Sequence, residues 1–238
     1  MAAKLISGLL DLLFPPRCVF CHKLLKDRER WICANCRRTL PYTTPDSAVQ
    51  PGEHFSKCAS ALYYQGVVKD SFHRFKFSGR TNYATPYGKL MADCVRRHLA
   101  DSYDLITWVP LSSKRKKKRG YDQSMLLAMA VALDLSDVAV EILRKVEERP
   151  AQSSLEGADA RFDNVKDAYI ITAPELVLGK RILLIDDIIT TGATLSECAD
   201  QLRFAGAADV VCVTLARAAP TGQAEKSDAA EDPSDRLV

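Results

Sequence analysis

With 238 residues, 47% of them apolar and 26% charged, the chain can build one domain of ordinary size and a small additional module. Its net charge of +3 is too small to attract nucleic acid over the whole surface, so any such attraction would have to come from a local patch. No apolar run is long enough to span a bilayer, and membrane insertion is therefore not expected.

In chain order, "LISGLLDLLFPP" at 5–16 is interrupted by Asp11 and runs into "PPRC" without a small-residue cleavage site. It reads as a short amphipathic helix docked on the body of the protein. Next come two C-x-x-C pairs, Cys18 with Cys21 and Cys33 with Cys36, separated by eleven residues. Each pair offers two thiolates to one ion, and a connection of this length lets the second pair complete a tetrahedron, so a closed structural zinc site is expected. Gathered cysteines of this kind, instead of a spread disulfide framework, point to the cytoplasm. His54 and Cys58 form a weaker pairing that could mark a second metal, although a lone His and Cys in a loop are more often unliganded. Cys94, Cys198 and Cys212 fall in periodic segments and read as core residues.

From Ala61 onward short β-rich runs alternate with helical patterns. Strands are predicted at 61–64, 104–110, 138–143, 168–172, 181–186 and 209–216, and helices at 67–77, 82–100, 121–134 and 194–205. The runs at 181 and 209 are almost continuous in Leu, Ile and Val, as in parallel strands covered on both faces. Gly206 is a plausible C-cap for the last helix. The alternation predicts a doubly wound α/β sheet, with ligands at the carboxyl ends of its strands. The predicted organisation is a helix and zinc-ribbon module over 1–60, the α/β domain over 61–218, and a polar, disordered tail over 219–238. The charged segment at 144–167 lacks periodicity and reads as a loop.

Two stretches carry chemistry. "RILLIDDIITTGATLSECADQL" at 181–202 runs a buried strand into Asp186 and Asp187, then into Thr190, Thr191, Gly192, Ala193 and Thr194, and then into a helix. Adjacent carboxylates at a strand end are costly to bury without partners. The short loop residues and the free N–H groups of the helix start can converge on an anion. Acceptors for sugar hydroxyls thus stand beside donors for a phosphate. The plainer alternative is that Thr194 caps a helix and the acids are solvated. The second stretch is Lys114 to Arg119, six consecutive basic residues after a predicted strand end. An isolated run of this kind is usually a solvated loop or a nucleic-acid patch, but here it lies on the sheet edge that would carry the anion loop.

The 181–194 run resembles the phosphoribosyl-diphosphate (PRPP) motif of type I phosphoribosyltransferases. That resemblance implies that Asp186 and Asp187 hold the ribose hydroxyls and that Thr190 to Thr194 wrap the 5′-phosphate. It also implies magnesium carried with PRPP, and Lys114, Arg115 and Arg119 stabilising the departing pyrophosphate, with Gln123 a weaker polar candidate. A loop at 144–167 would close over PRPP. Further segments narrow the resemblance: "VPLSSKRKKKRGYDQSMLLA", "RPAQSSLEGADARFDNVKDAY" and, upstream, "FHRFKFSGR" around Lys76 and Phe77 are similar to the ComF family. The family pattern often has a further cysteine pair, where this chain has only Cys58. The resemblance implies transfer of phosphoribosyl to an unidentified acceptor. The alternative is a non-catalytic PRPP sensor, or a single-stranded-DNA-binding protein acting in DNA uptake.

Overall fold

The computed structural model describes residues 15–26, 28–146 and 169–219. The expected N-terminal helix, most of the expected closing loop and the tail lie outside these residues. The main sheet has five strands, β1 (Val49–Gln50), β2 (Lys57–Tyr63), β3 (Leu105–Trp108), β6 (Arg181–Ile189) and β7 (Asp209–Arg217). Their spatial order is β1-β2-β7-β6-β3. β2, β7, β6 and β3 are mutually parallel, and only β1, at one edge, runs antiparallel. The helices in chain order begin with α1 (Ala34–Thr39) in the cysteine module, followed by α2 (Val67–Phe77) and α3 (Ala84–His98). After β3 come α4 (Ser113–Arg119) and α5 (Gln123–Leu135), and α6 (Ala193–Phe204) joins β6 to β7.

The continuous apolar character of β6 and β7 has the expected consequence. Alternate residues of both strands serve two different cores. Leu183, Ile185, Val211 and Val213 face one, and Ile182, Leu184, Val210 and Cys212 the other. Helices α3 and α5 cover the first face, and α6 covers the second. The sheet is therefore doubly wound. Cys94, Cys198 and Cys212 are buried, as their periodic settings predict.

Helix α2 matches its predicted range, and α6 ends with Gly206 just beyond it at φ 93°, the left-handed conformation glycine tolerates. Three sequence expectations are corrected. The strand expected at 61–64 begins at Lys57, because the ladder with β7 already starts there. The runs at 138–143 and 168–172 do not join the main sheet. They yield β4 (Leu143–Lys145) and β5 (Tyr169–Ile171), a separate antiparallel pair, apart from one bridge between Ile106 and Ala139. The basic run is the helix α4, where a charged loop was one expectation. Ser112 caps its start by accepting from the Arg115 N–H, and Gly120 ends it at φ 82°.

The cysteine module is packed on the first face. Val19 and Phe20 lie in the same apolar cluster as Phe72, Phe75 and Tyr87. The rings of Phe20 and Tyr87 are 5.6 Å apart. Ser71 donates to the Val19 carbonyl and also contacts the Tyr87 hydroxyl, and Arg74 donates to the Phe20 carbonyl. The small module has no core of its own and borrows that of the larger domain.

Candidate functional site

The carboxyl ends of β3 and β6 lie side by side, with Trp108 paired to Ile185 and the Val109 N–H donating to the Ile185 carbonyl at 2.9 Å. Asp186 and Asp187 follow directly, within β6 and not beyond it, since the strand continues to Ile189. Neither acid is solvated. Asp186 is 8% exposed and the Asp187 side chain 14%. Asp186 Oδ1 accepts from Ser124 Oγ at 3.0 Å and from the Asp187 N–H at 2.8 Å. Burial, reinforced by the neighbouring Asp187 charge, pushes the Asp186 carboxyl up to about 8, against the opposing pull of these donors and of Lys76. Asp187 is paired with Lys76 Nζ at 3.0 Å.

Thr190, Thr191, Ala193 and Thr194 are exposed, and together with Asp186, Ile188, Ile189, Gly192 and Leu195 they line one concavity. The plainer reading of Thr194 as a helix cap is overturned. The cap position is Gly192, which has no side chain to offer, and Thr194 lies inside the first turn of α6. The side-chain partner for this turn among the described residues is Thr191 Oγ1, which accepts from the Ala193 N–H at 3.3 Å. Beyond that bond, donors and helix dipole at this end are available to an anion. Gly192 adopts φ 85°, and an added Cβ would meet Ile189 and Phe55 only at 3.6 Å or more, an ordinary contact. Gly192→Ala therefore carries a conformational penalty and no clash. It is expected to cost about 1–2 kcal/mol, read as a lowered urea midpoint together with weakened anion binding.

The basic residues divide. Arg119 is half-buried, donates to Gln123 Oε1 at 2.7 Å and stacks over the Phe77 ring at 5.3 Å. The buried Gln123 ties Arg119 to the start of the helix that also carries Ser124, the donor to Asp186. Lys114 and Arg115 are exposed on α4 and make no side-chain ion pair among the described residues. Asp122 caps α5 by accepting from the Met125 N–H and also accepts from the Leu111 N–H, which fastens the segment after β3 to the helix carrying Ser124. Sequence reading did not place Lys76 or Ser124 in the site. The one available signal was the aromatic-rich setting of Lys76 in "FHRFKF".

The second cluster is sulfur. The Sγ atoms of Cys18, Cys21, Cys33 and Cys36 all lie within 4.8 Å of one another. The N–H groups of Cys33 and Cys36 point at Cys18 Sγ and Cys33 Sγ, each at 3.4 Å, as donors to ligating thiolates do. Four mutually close sulfurs with oriented donors fit a closed tetrahedral zinc site. It is the one such group among the described residues. Cys58 is fully buried in β2 as the ladder partner of Cys212, and His54 faces Asp200 at 3.5 Å.

Fold and sites together define a phosphoribosyltransferase-type α/β protein with a zinc-binding N-terminal module. A phosphoribosyl transferase domain model matches residues 122–232, and a double zinc ribbon domain model matches residues 9–61. The chain is 30% identical to the competence protein ComFC of Streptococcus pneumoniae, covering 78% of this chain and 80% of that one. It is 27% identical to competence protein F of Haemophilus influenzae (85% and 97% covered) and 29% identical to the DNA utilization protein YhgH of Salmonella typhimurium (84% and 89%). The chain belongs to the ComF family.

Proposed function

We propose that the protein binds PRPP at the carboxyl edge of β6 and transfers its phosphoribosyl group to an acceptor with release of pyrophosphate. The observation that carries this reading is the juxtaposition of a buried carboxylate, Asp186, and its partly buried neighbour Asp187 with a helix start that has no side-chain cap. The sugar presents hydroxyls to Asp186 and Asp187, and its 5′-phosphate sits among Thr190, Thr191, Gly192, Ala193 and Thr194. The bond from C1 to the diphosphate oxygen breaks with its electron pair leaving on pyrophosphate, and the acceptor's lone pair forms the new bond at C1. Charge grows on the leaving group, so cations at the rim lower the barrier. Lys114, Arg115 and Arg119 on α4 are the candidate cations, and Arg119 is the one tied, through Gln123, to the helix that carries Ser124. Magnesium carried on the diphosphate supplies further neutralisation. The cysteine module supports the transferase-like domain, whose sheet already takes in β1 and the start of β2 from before residue 61, by closing its first core. Cysteines gathered in pairs for a metal suit a reducing, cytoplasmic setting. Calorimetric titration of magnesium–PRPP into the zinc-loaded protein tests the reading, and absence of heat in the folded protein would refute it.

A second reading is favoured by one observation. Helix α4 presents Lys114 to Lys118 to solvent as a short basic face, in a family whose members include competence and DNA utilization proteins. On this reading single-stranded DNA binds α4 through its phosphates, and the PRPP site serves as a sensor. Affinity for an oligonucleotide should then fall steeply with salt and drop in Lys116→Gln/Lys117→Gln/Lys118→Gln. No binding at low salt would remove DNA from consideration.

A further inference from the structure

We propose that Lys76 is a positioning residue of the sugar-phosphate site: its ammonium pairs with the Asp187 carboxylate and fixes it at the point where a sugar hydroxyl meets it. The inference rests on reading the acid pair as the hydroxyl-binding element. It adds a residue from α2, outside the stretch matched by the phosphoribosyl transferase domain model.

The ammonium is held from two sides. Asp187 Oδ2 lies 3.0 Å from Nζ, and the Phe72 ring centroid lies 4.5 Å from it. Both anchors are rigid. Phe72 is 1% exposed and packs against Phe75, Tyr64 and Tyr87, while Asp187 belongs to the strand β6. The Lys76 and Asp187 side chains are only 23% and 14% exposed, so water screens the pair weakly. The other titratable groups facing this carboxylate are Asp186 beside it on β6 and Tyr64 after β2. Lys76 is the cation in contact with Asp187 among the described residues. The same lysine ties the last turn of α2 to the end of β6, which fixes the carboxylate's direction.

A direct contact between Lys76 and the diphosphate would give a different pattern of results. The experiment compares wild type, Lys76→Gln, Lys76→Arg, Asp187→Asn and Lys76→Gln/Asp187→Asn, titrated with magnesium–PRPP and separately with inorganic pyrophosphate. Lys76→Gln should weaken PRPP binding about 10- to 100-fold, the range typical when a residue that orients a binding side chain is removed. Lys76→Arg should restore most of it. In the Asp187→Asn background the lysine change should have almost no further effect, and pyrophosphate affinity should not change. In urea, Lys76→Gln should lower the midpoint, and adding Asp187→Asn should recover most of the loss, because the orphaned buried charge is then gone. Wild-type PRPP affinity in Lys76→Gln, or a loss of pyrophosphate affinity that persists with Asp187→Asn, would overturn the proposal while leaving the PRPP site standing. A wild-type protein that binds no PRPP would overturn the site reading and the proposal with it.

Discussion

Asp186→Asn/Asp187→Asn is expected to lower PRPP affinity by at least about 100-fold, since two hydrogen bonds to carboxylates are each worth about 1.5–3 kcal/mol. The variant is well suited to the question because it keeps the shape of both side chains. An amide oxygen at position 186 can still accept from Ser124, and the charge that burial and the neighbouring Asp187 both disfavour there is gone. The one new structural cost is the unpaired Lys76. A protein that folds, retains its zinc and no longer binds PRPP would therefore report on recognition and not on stability. Undiminished PRPP binding in the double variant would mean that these carboxylates do not hold the sugar. The same pair of proteins then serves to screen acceptors by pyrophosphate release, since acceptor-dependent release should vanish with the two carboxylates.

Removing the metal from the cysteine cluster should produce the other large effect. Structural zinc sites contribute on the order of 10 kcal/mol of apparent binding energy, and here that energy also holds part of the main core. The turn bearing Cys18 and Cys21 also bears Val19 and Phe20, which fill the space beside Tyr87, Phe72 and Phe75. Strong chelation, or Cys36→Ser, should therefore lower the melting temperature of the whole domain and not only loosen the module. The check is metal analysis alongside thermal melting followed by circular dichroism. One zinc per chain is the expected stoichiometry, because the described residues contain a single four-sulfur cluster although the matching domain model is a double ribbon. Two zincs per chain, or a melt indifferent to chelation, would contradict this account. His54 and Cys58 should contribute nothing, since Cys58 is closed into the sheet against Cys212.

The elements most legible in the sequence were those whose signal is local. A C-x-x-C spacing fixes which sulfurs can share an ion, and the four thiols do converge. Uninterrupted Leu, Ile and Val in β6 and β7 announce strands covered on both faces, and their alternate residues do enter two cores. The placement of Gly192 before a helix likewise survives, because a left-handed residue and an uncapped helix start are properties of a few neighbouring residues. Short runs were less legible. The segments that became β4 and β5 have strand-like composition, but composition does not say which partner a strand pairs with, and here they pair with each other. The basic run hid a helix because lysine and arginine satisfy helical propensity without an apolar stripe, so no periodicity betrays it.

By itself, then, the sequence determined the zinc ligands, the two-faced parallel sheet, the acid pair and the loop that follows it. Only the tertiary structure decided what surrounds the acids: Ser124 on Asp186 and Lys76 on Asp187. These partners come from helices far from β6 in the chain. Which of the many exposed-looking lysines and serines reaches a carboxylate is settled by how those helices pack on the sheet, and packing is a property of the whole core that no local pattern of residues contains.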